Sequence, residues 1–244
     1  MTPYEPKIRW NLIYRLGAIS AIGAILVGIA EIGIQFIPEA SNIPETISGW
    51  FALYQENWFL GLRNMGLLNI CLNLFAILTY FGLMAAHRKT DQYPYALLAM
   101  ILSYLGIATF LATNRAFPMW DLSRQYLAAY SQNQQTLLEA AGQAMLVIGG
   151  SHSPGTYLSF FLVEVAGVLI SWVMLRSDVF GKLAAISGMA GFATLLVFET
   201  LTSFGSGLTM FTMSISMIGG LLSMFWYILI ARSFLRMAKQ PFDL

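Results

Sequence analysis

Three glutamates, Glu31, Glu164 and Glu199, lie inside stretches that are otherwise almost free of charge. An acid at the centre of a membrane helix costs about 2.5–3.5 kcal/mol on insertion scales, so each calls for a partner or a purpose. Two cations on other stretches, Arg63 and Arg115, stand at the outer mouth, with side chains long enough to reach the same depth along an apolar surface. Three acids against two bases leave at least one acid without a cation. Uncharged polar groups accompany them. Asn69 and Asn73 share a helical face at i and i+4, while Tyr157, Glu164 and Ser171 recur at seven-residue spacing. The pattern points to an outward-facing polar cavity lined by Glu31, Arg63, Asn69, Asn73, Arg115, Tyr157, Glu164 and Glu199, suited to binding or transporting a small or amphipathic molecule. The competing reading is a set of buried ion pairs, an arginine to a glutamate, that only fixes helix packing.

Catalytic chemistry finds no constellation, and a membrane-embedded enzyme is the weakest function class. His87 and His152 fall on opposite sides of the expected membrane and cannot share a zinc site. His152 reads as a solvated loop histidine, with a partial metal site beside Glu164 or Glu199 as the alternative. Ser151-His152-Ser153 is a turn before Pro154 rather than a nucleophile elbow. Cys71 lies in an apolar run and reads as a packed thiol. The stripe Met210, Met213, Met217 and Met224 reads as packing methionine. No catalytic residue, metal or cofactor is assigned.

The elements that must position these groups are membrane spans. The 244 residues are 57% hydrophobic and 10% charged, against about 25% charged in a soluble domain. A net charge of +1 gives no reason to expect a nucleic-acid partner. Six stretches are long and apolar enough to cross a bilayer, roughly 12–37, 59–86, 94–114, 156–176, 180–203 and 207–231. The expected fold is therefore all-α: a single-domain polytopic membrane bundle of six transmembrane helices. The first span is too long for a signal-peptide core and is expected to remain. Pro38 closes it, and a turn at Gly205-Ser206-Gly207 joins the last two. With the N-terminus inside, Lys7, Arg9, Arg15, Arg88, Lys89, Arg176, Lys182, Arg232, Arg236 and Lys239 are cytoplasmic, and only Arg63, Arg115 and Arg124 lie outside. The positive-inside rule then puts both termini in the cytoplasm.

Gly17, Ala21, Ala24, Gly28, Glu31 and Gln35 follow in steps of four and three, a narrow seam of small residues that turns polar. Such a seam lets a neighbouring helix approach closely, as would Ser187 and Gly191, or Ser216, Gly220 and Ser223. A second membrane protein or a second copy could use these faces, so a structural or regulatory subunit is the alternative function. Between the first two spans, Ile47–Tyr54 with Trp50, Phe51 and Trp58 is expected as a short interfacial helix. Residues 117–153 are expected as an extracytoplasmic helical hairpin between the third and fourth spans. Asp121 would cap its first helix, and Ser131 with Gln134 its second. Leu137, Leu138, Ala141, Met145 and Ile148 would lie on the outer mouth of the bundle. The echo between Leu16-Gly-Ala-Ile-Ser-Ala-Ile and Leu183-Ala-Ala-Ile-Ser-Gly-Met would be a parallel repeat.

Three stretches carry a family likeness: Asn114-Arg-Ala-Phe-Pro-Met-Trp-Asp-Leu-Ser, Ala140-Ala-Gly-Gln-Ala-Met-Leu and Val173-Met-Leu-Arg-Ser-Asp-Val-Phe-Gly181. With the glutamate near the end of the first span, they resemble a bacterial family of multi-spanning membrane proteins known only as a domain of unknown function. The resemblance implies the six-helix layout and a bacterial cytoplasmic (inner) membrane, in contact with membrane lipids. It implies no activity and no functional residues.

Overall fold

The structure is a computed structural model that describes residues 10–34, 43–205 and 209–239. Within these residues the chain is helical, without strands. Its helices are α1 (Trp10–Ile34), α2 (Ile47–Glu56), α3 (Trp58–Asn64), α4 (Leu67–Ala86), α5 (Tyr93–Thr113), α6 (Ala116–Leu127), α7 (Gln132–Ile148), α8 (Tyr157–Ser177), α9 (Lys182–Phe204) and α10 (Thr209–Met237). Six of them, α1, α4, α5, α8, α9 and α10, are long and apolar enough to cross a membrane. The chain is a multi-pass membrane protein. Lys7, Arg9, Gln35, Pro38, Ser206 and Gly207 lie outside the described residues.

The spans form a closed ring in chain order: each touches the one before and after it, and α10 returns to α1. Successive spans alternate in direction, so Trp10 and Met237 lie at the same end of the ring, here the terminal end. The other end carries α2, α3, α6 and α7 and is the hairpin end. Apolar side chains gain nothing by leaving lipid, so the ring closes by close approach and interdigitation. A Cβ at Gly106 would lie 2.7 Å from the Ser159 carbonyl, and one at Gly167 would overlap the Phe192 ring. These glycines bring α5 against α8 and α8 against α9. At the terminal end large side chains fill the axis. Phe234, Trp226, Tyr80 and His87 are fully buried there, and Phe234 stacks on Tyr14 and meets Phe180 edge-on.

His87 closes α4 with its Nδ1 at 2.7 Å from the Leu83 carbonyl, its ring against Phe180, and its Nε2 buried without a partner. Burial pushes its pKa below the ordinary histidine value, because a second ring proton would have no acceptor.

Several expectations are corrected here. The second span is broken: Gly66 adopts φ +104°, a conformation open to glycine, and α3 ends before α4 begins. Arg63 therefore sits on a separate short helix. The seam on α1 divides in two. Gly17, Ala21 and Ala24 are buried, but a Cβ at Gly28 would make only ordinary contact with Met224, 3.5 Å away. On α10 the close-approach position is Gly219, against Leu195, rather than Gly220, where a Cβ would meet nothing within 4 Å.

The hairpin end has its own small core of Phe51, Trp50, Tyr54, Leu62, Met65 and Met119. Polar ties reinforce it: Tyr54 donates to the Ala116 carbonyl at 2.9 Å, and Ser123 to the Phe51 carbonyl at 2.9 Å. Burial pushes the pKa of the Tyr54 hydroxyl up. Asp121 is inside α6 and caps nothing; Asn114 accepts from the Ala116 N–H and starts the helix. Ser131 caps α7 as expected, accepting from the Gln134 N–H, while the Gln134 side chain reaches back to the Tyr130 N–H. The expected resting face of α7 is met only in part: Leu138 is half-buried and Met145 packs on this small core. Gly142 is its buried residue, seated on Ile47 and Phe51, while Leu137 and Ala141 are exposed. A glycine admits α2 where a leucine would hold it off, so α7 rests chiefly on α2 and α6 instead of on the mouth of the ring.

Candidate functional site

The hairpin-end half of the ring is hollow. α1 and α10 meet through Gly17 and Phe234 near the terminal end and through Gly28 and Met224 farther along. Above that contact lies a cavity of about 610 Å³ bounded by α1, α4 and α10. Val27, Leu72, Met213, Met217 and Met224 make it mainly apolar, with Glu31 and Asn69 at its edge. Met213, Met217 and Met224 of the α10 stripe, which the sequence reads as packing methionine, thus line this space, and Met210 does not. Met213 and Met217 are more than half exposed.

Deeper in the ring a second cavity of about 220 Å³ is lined by α4, α5, α8, α9 and α10 and by His152. Asn69, Leu72, Ser223 and Tyr227 border both cavities, so the two adjoin. The second holds Asn69, Asn73, Ser159, Glu164 and Tyr227. Asn73 donates to the Asn69 carbonyl at 2.8 Å, one turn back on α4, which fixes both residues on one face. Glu164 is 6% exposed, and its Oε2 is buried with no hydrogen-bond partner. No cation reaches it among the described residues. Tyr80 is a neighbour: its hydroxyl is buried without a partner, within electrostatic reach of Glu164 and Tyr227.

The other two acids are paired. Glu31 accepts from Arg63 at 3.2 Å, and Arg63 also donates to Asn64 Oδ1 at 2.9 Å. Glu199 is fully buried and meets His152 Nδ1 at 2.6 Å, with Ser203 donating to its other oxygen at 3.2 Å. His152 thus stays in a loop, with its side chain 37% exposed, but has a defined partner rather than only solvent. It sits between the rings of Phe160 and Phe198, at φ +54°. Few L residues adopt that backbone state. It is held by a turn in which Ser153 and Thr156 both donate to the Gly150 carbonyl at 2.6 Å.

Of the eight residues expected in the cavity, Asn69, Asn73 and Glu164 share the inner chamber. Glu31 edges the outer one, with Arg63 bonded to it, and Glu199 is joined to the inner chamber through His152. Arg115 stands apart, donating to the Leu146 carbonyl at the end of α7. Tyr157 also lies elsewhere, at the α8–α9 seam against Phe161 and Phe204. Ser223 and Tyr227 join the chamber unexpectedly, and so does His152, which the sequence sets beside Glu164 or Glu199 only as a partial metal site. For His152 a signal existed: a buried Glu199 needs a partner, and the loop entering α8 carries a titratable donor.

Chemically the arrangement sets hydrogen-bonding groups beside apolar space. Glu31 is engaged by Arg63 and Glu199 by His152, whereas the Glu164 carboxyl, with Asn69 and Asn73, still offers acceptors and donors at the inner end of an apolar chamber. Among the described residues no three of His, Cys, Asp and Glu gather as a metal site would require. No protein-family model matches the chain, and searches of curated proteins and of solved structures give no match.

Proposed function

We propose that this protein binds, and moves or presents, a small amphipathic molecule. Its apolar part would occupy the chamber between α1, α4 and α10, and its polar head would reach Asn69, Asn73 and Glu164. The observation that carries this reading is the juxtaposition of a mainly apolar cavity with a smaller one holding an unpartnered, buried carboxyl. Buried polar groups are nearly always hydrogen-bonded, so a head that donates, an amine or a hydroxyl, answers the Glu164 oxygen. The setting we propose is a bacterial cytoplasmic membrane with both termini inside and the α6–α7 hairpin outside. The ten-to-three distribution of basic residues and the resemblance of residues 114–123 and 173–181 to a bacterial family support it.

A second membrane chain, or a second copy, is the competing occupant of the outer surface, favoured by the open Cβ positions at Gly33 and Gly220. The test is native mass spectrometry of the chain released from its own membrane. Wild type should carry a small amphipathic adduct that Glu164→Gln lacks. An adduct-free wild type that leaves the membrane as a complex of chains would refute the binding reading in favour of the subunit.

A further inference from the structure

At the terminal end, α1 and α10 leave a groove of about 420 Å³. Ile22, Ile25 and Ile228 line its inner part, and Arg232, Arg236 and Lys239 line the part nearer the end of the chain. On α10, positions 228, 232, 235 and 239 succeed one another in steps of four, three and four, so apolar and basic groups share one stripe. At 1.5 Å per residue, Arg236 lies about 12 Å beyond Ile228 along the helix. That is the change of depth between acyl chains and headgroups. Arg15 on α1 continues the stripe of Ile22 seven residues earlier and adds a further charge at the same end.

The three groove cations are exposed, and none forms an ion pair among the described residues, where the pairs are Arg63–Glu31 and His152–Glu199. Other arginines of this end are engaged. Arg88 lies over the Trp10 ring and donates to Tyr14, and Arg176 lies over Trp172. Among the described residues, positive charge without an ion-pair partner is therefore concentrated where an apolar groove opens.

We propose that this groove binds an anionic phospholipid, one acyl chain along Ile22, Ile25 and Ile228 and the phosphodiester among Arg232, Arg236 and Lys239. A zwitterionic lipid would leave net positive charge uncompensated, and a soluble anion would make no use of the isoleucines. Each cation at an anionic headgroup contributes roughly a fivefold gain in binding, so removal of two should weaken it roughly 25-fold. The site is separate from the polar cavities and stands independently of the function proposed for them.

The experiment uses the full chain in nanodiscs of phosphatidylcholine doped with phosphatidylglycerol, with retained lipids counted by native mass spectrometry. Wild type should keep phosphatidylglycerol in preference to phosphatidylcholine. R232Q/R236Q should lose the preference, and R176Q, at the same end but outside the groove, should keep it. If the double variant does not yield folded protein, Lys239→Gln, in the turn beyond α10, reads the same effect at about fivefold. Equal retention of the two lipids by wild type would overturn the proposal. So would a loss in R176Q as large as in the groove variants, or thermal stabilisation by inorganic phosphate matching that by phosphatidylglycerol.

Discussion

Replacing Glu164 by methionine should make the protein more stable and disable it. The carboxyl is 6% exposed, has no cation beside it among the described residues, and holds an oxygen with no hydrogen-bond donor. A buried polar group left unsatisfied costs about 1–3 kcal/mol. Methionine keeps the length of the side chain while removing that cost, and its flexible thioether fits among Val163, Phe192 and Leu195 of the same chamber. A gain of about 2 kcal/mol corresponds to about 4–8 °C in Tm for a chain of this size. Unfolding can be followed by tryptophan fluorescence, since Trp226 is fully buried in the bundle, with detergent and pH held fixed. Glu164→Gln keeps the shape and a polar group, so its Tm should stay near wild type. Both variants should lose the stabilisation that a bound amphipathic molecule gives. An alternative in which Glu164 anchors a buried arginine predicts a loss of about 3–5 kcal/mol in either variant. A lower Tm for Glu164→Met would therefore refute the reading of Glu164 as a group held in reserve for a ligand.

Three further outcomes follow from particular contacts. His152→Ala strands the fully buried Glu199 carboxyl without its imidazole partner and should cost about 2 kcal/mol in thermal or denaturant unfolding, whereas an unchanged midpoint would show that the contact is dispensable. Gly28→Leu should leave Tm unchanged or raised, since leucine is the better helix former by about 0.8 kcal/mol and the atoms nearest its Cβ are those of Met224, at an ordinary 3.5 Å, yet it should exclude the ligand from the outer chamber; Gly167→Ala, driven into the Phe192 ring, should destabilise by about 1–3 kcal/mol. His87 is held neutral in the fold by burial, so the unfolded chain takes up a proton first as pH falls below about 6.5. Stability should be level above that pH and decline as acid is added, and His87→Phe, which keeps the contact with Phe180, should flatten that decline in a Tm-against-pH series.

The sequence by itself determined the spans. Hydropathy over twenty residues is a local sum that does not depend on which helix lies alongside, and the start of α5 at Pro94 and the cap of α7 at Ser131 are equally local events. The cost of an acid in lipid is also local, which is why Glu164 could be picked out before its surroundings were known. Tertiary structure decided everything that depends on who arrives next to whom. Counting arginines against glutamates could not tell that Arg115 turns to the Leu146 carbonyl while His152 comes in to meet Glu199. That outcome rests on a loop whose path is held by two hydroxyls on the Gly150 carbonyl. Helical periodicity marked the seam of α1 as small, but small residues permit close approach without enforcing it. At Gly17 the ring of Phe234 arrives to fill the notch; at Gly28 the nearest atoms, those of Met224, stay at ordinary contact distance, and the space beyond remains a cavity. The hollow half of the ring thus follows from where α10 places its bulky side chains relative to α1, a relation between distant parts of the chain that no local pattern encodes.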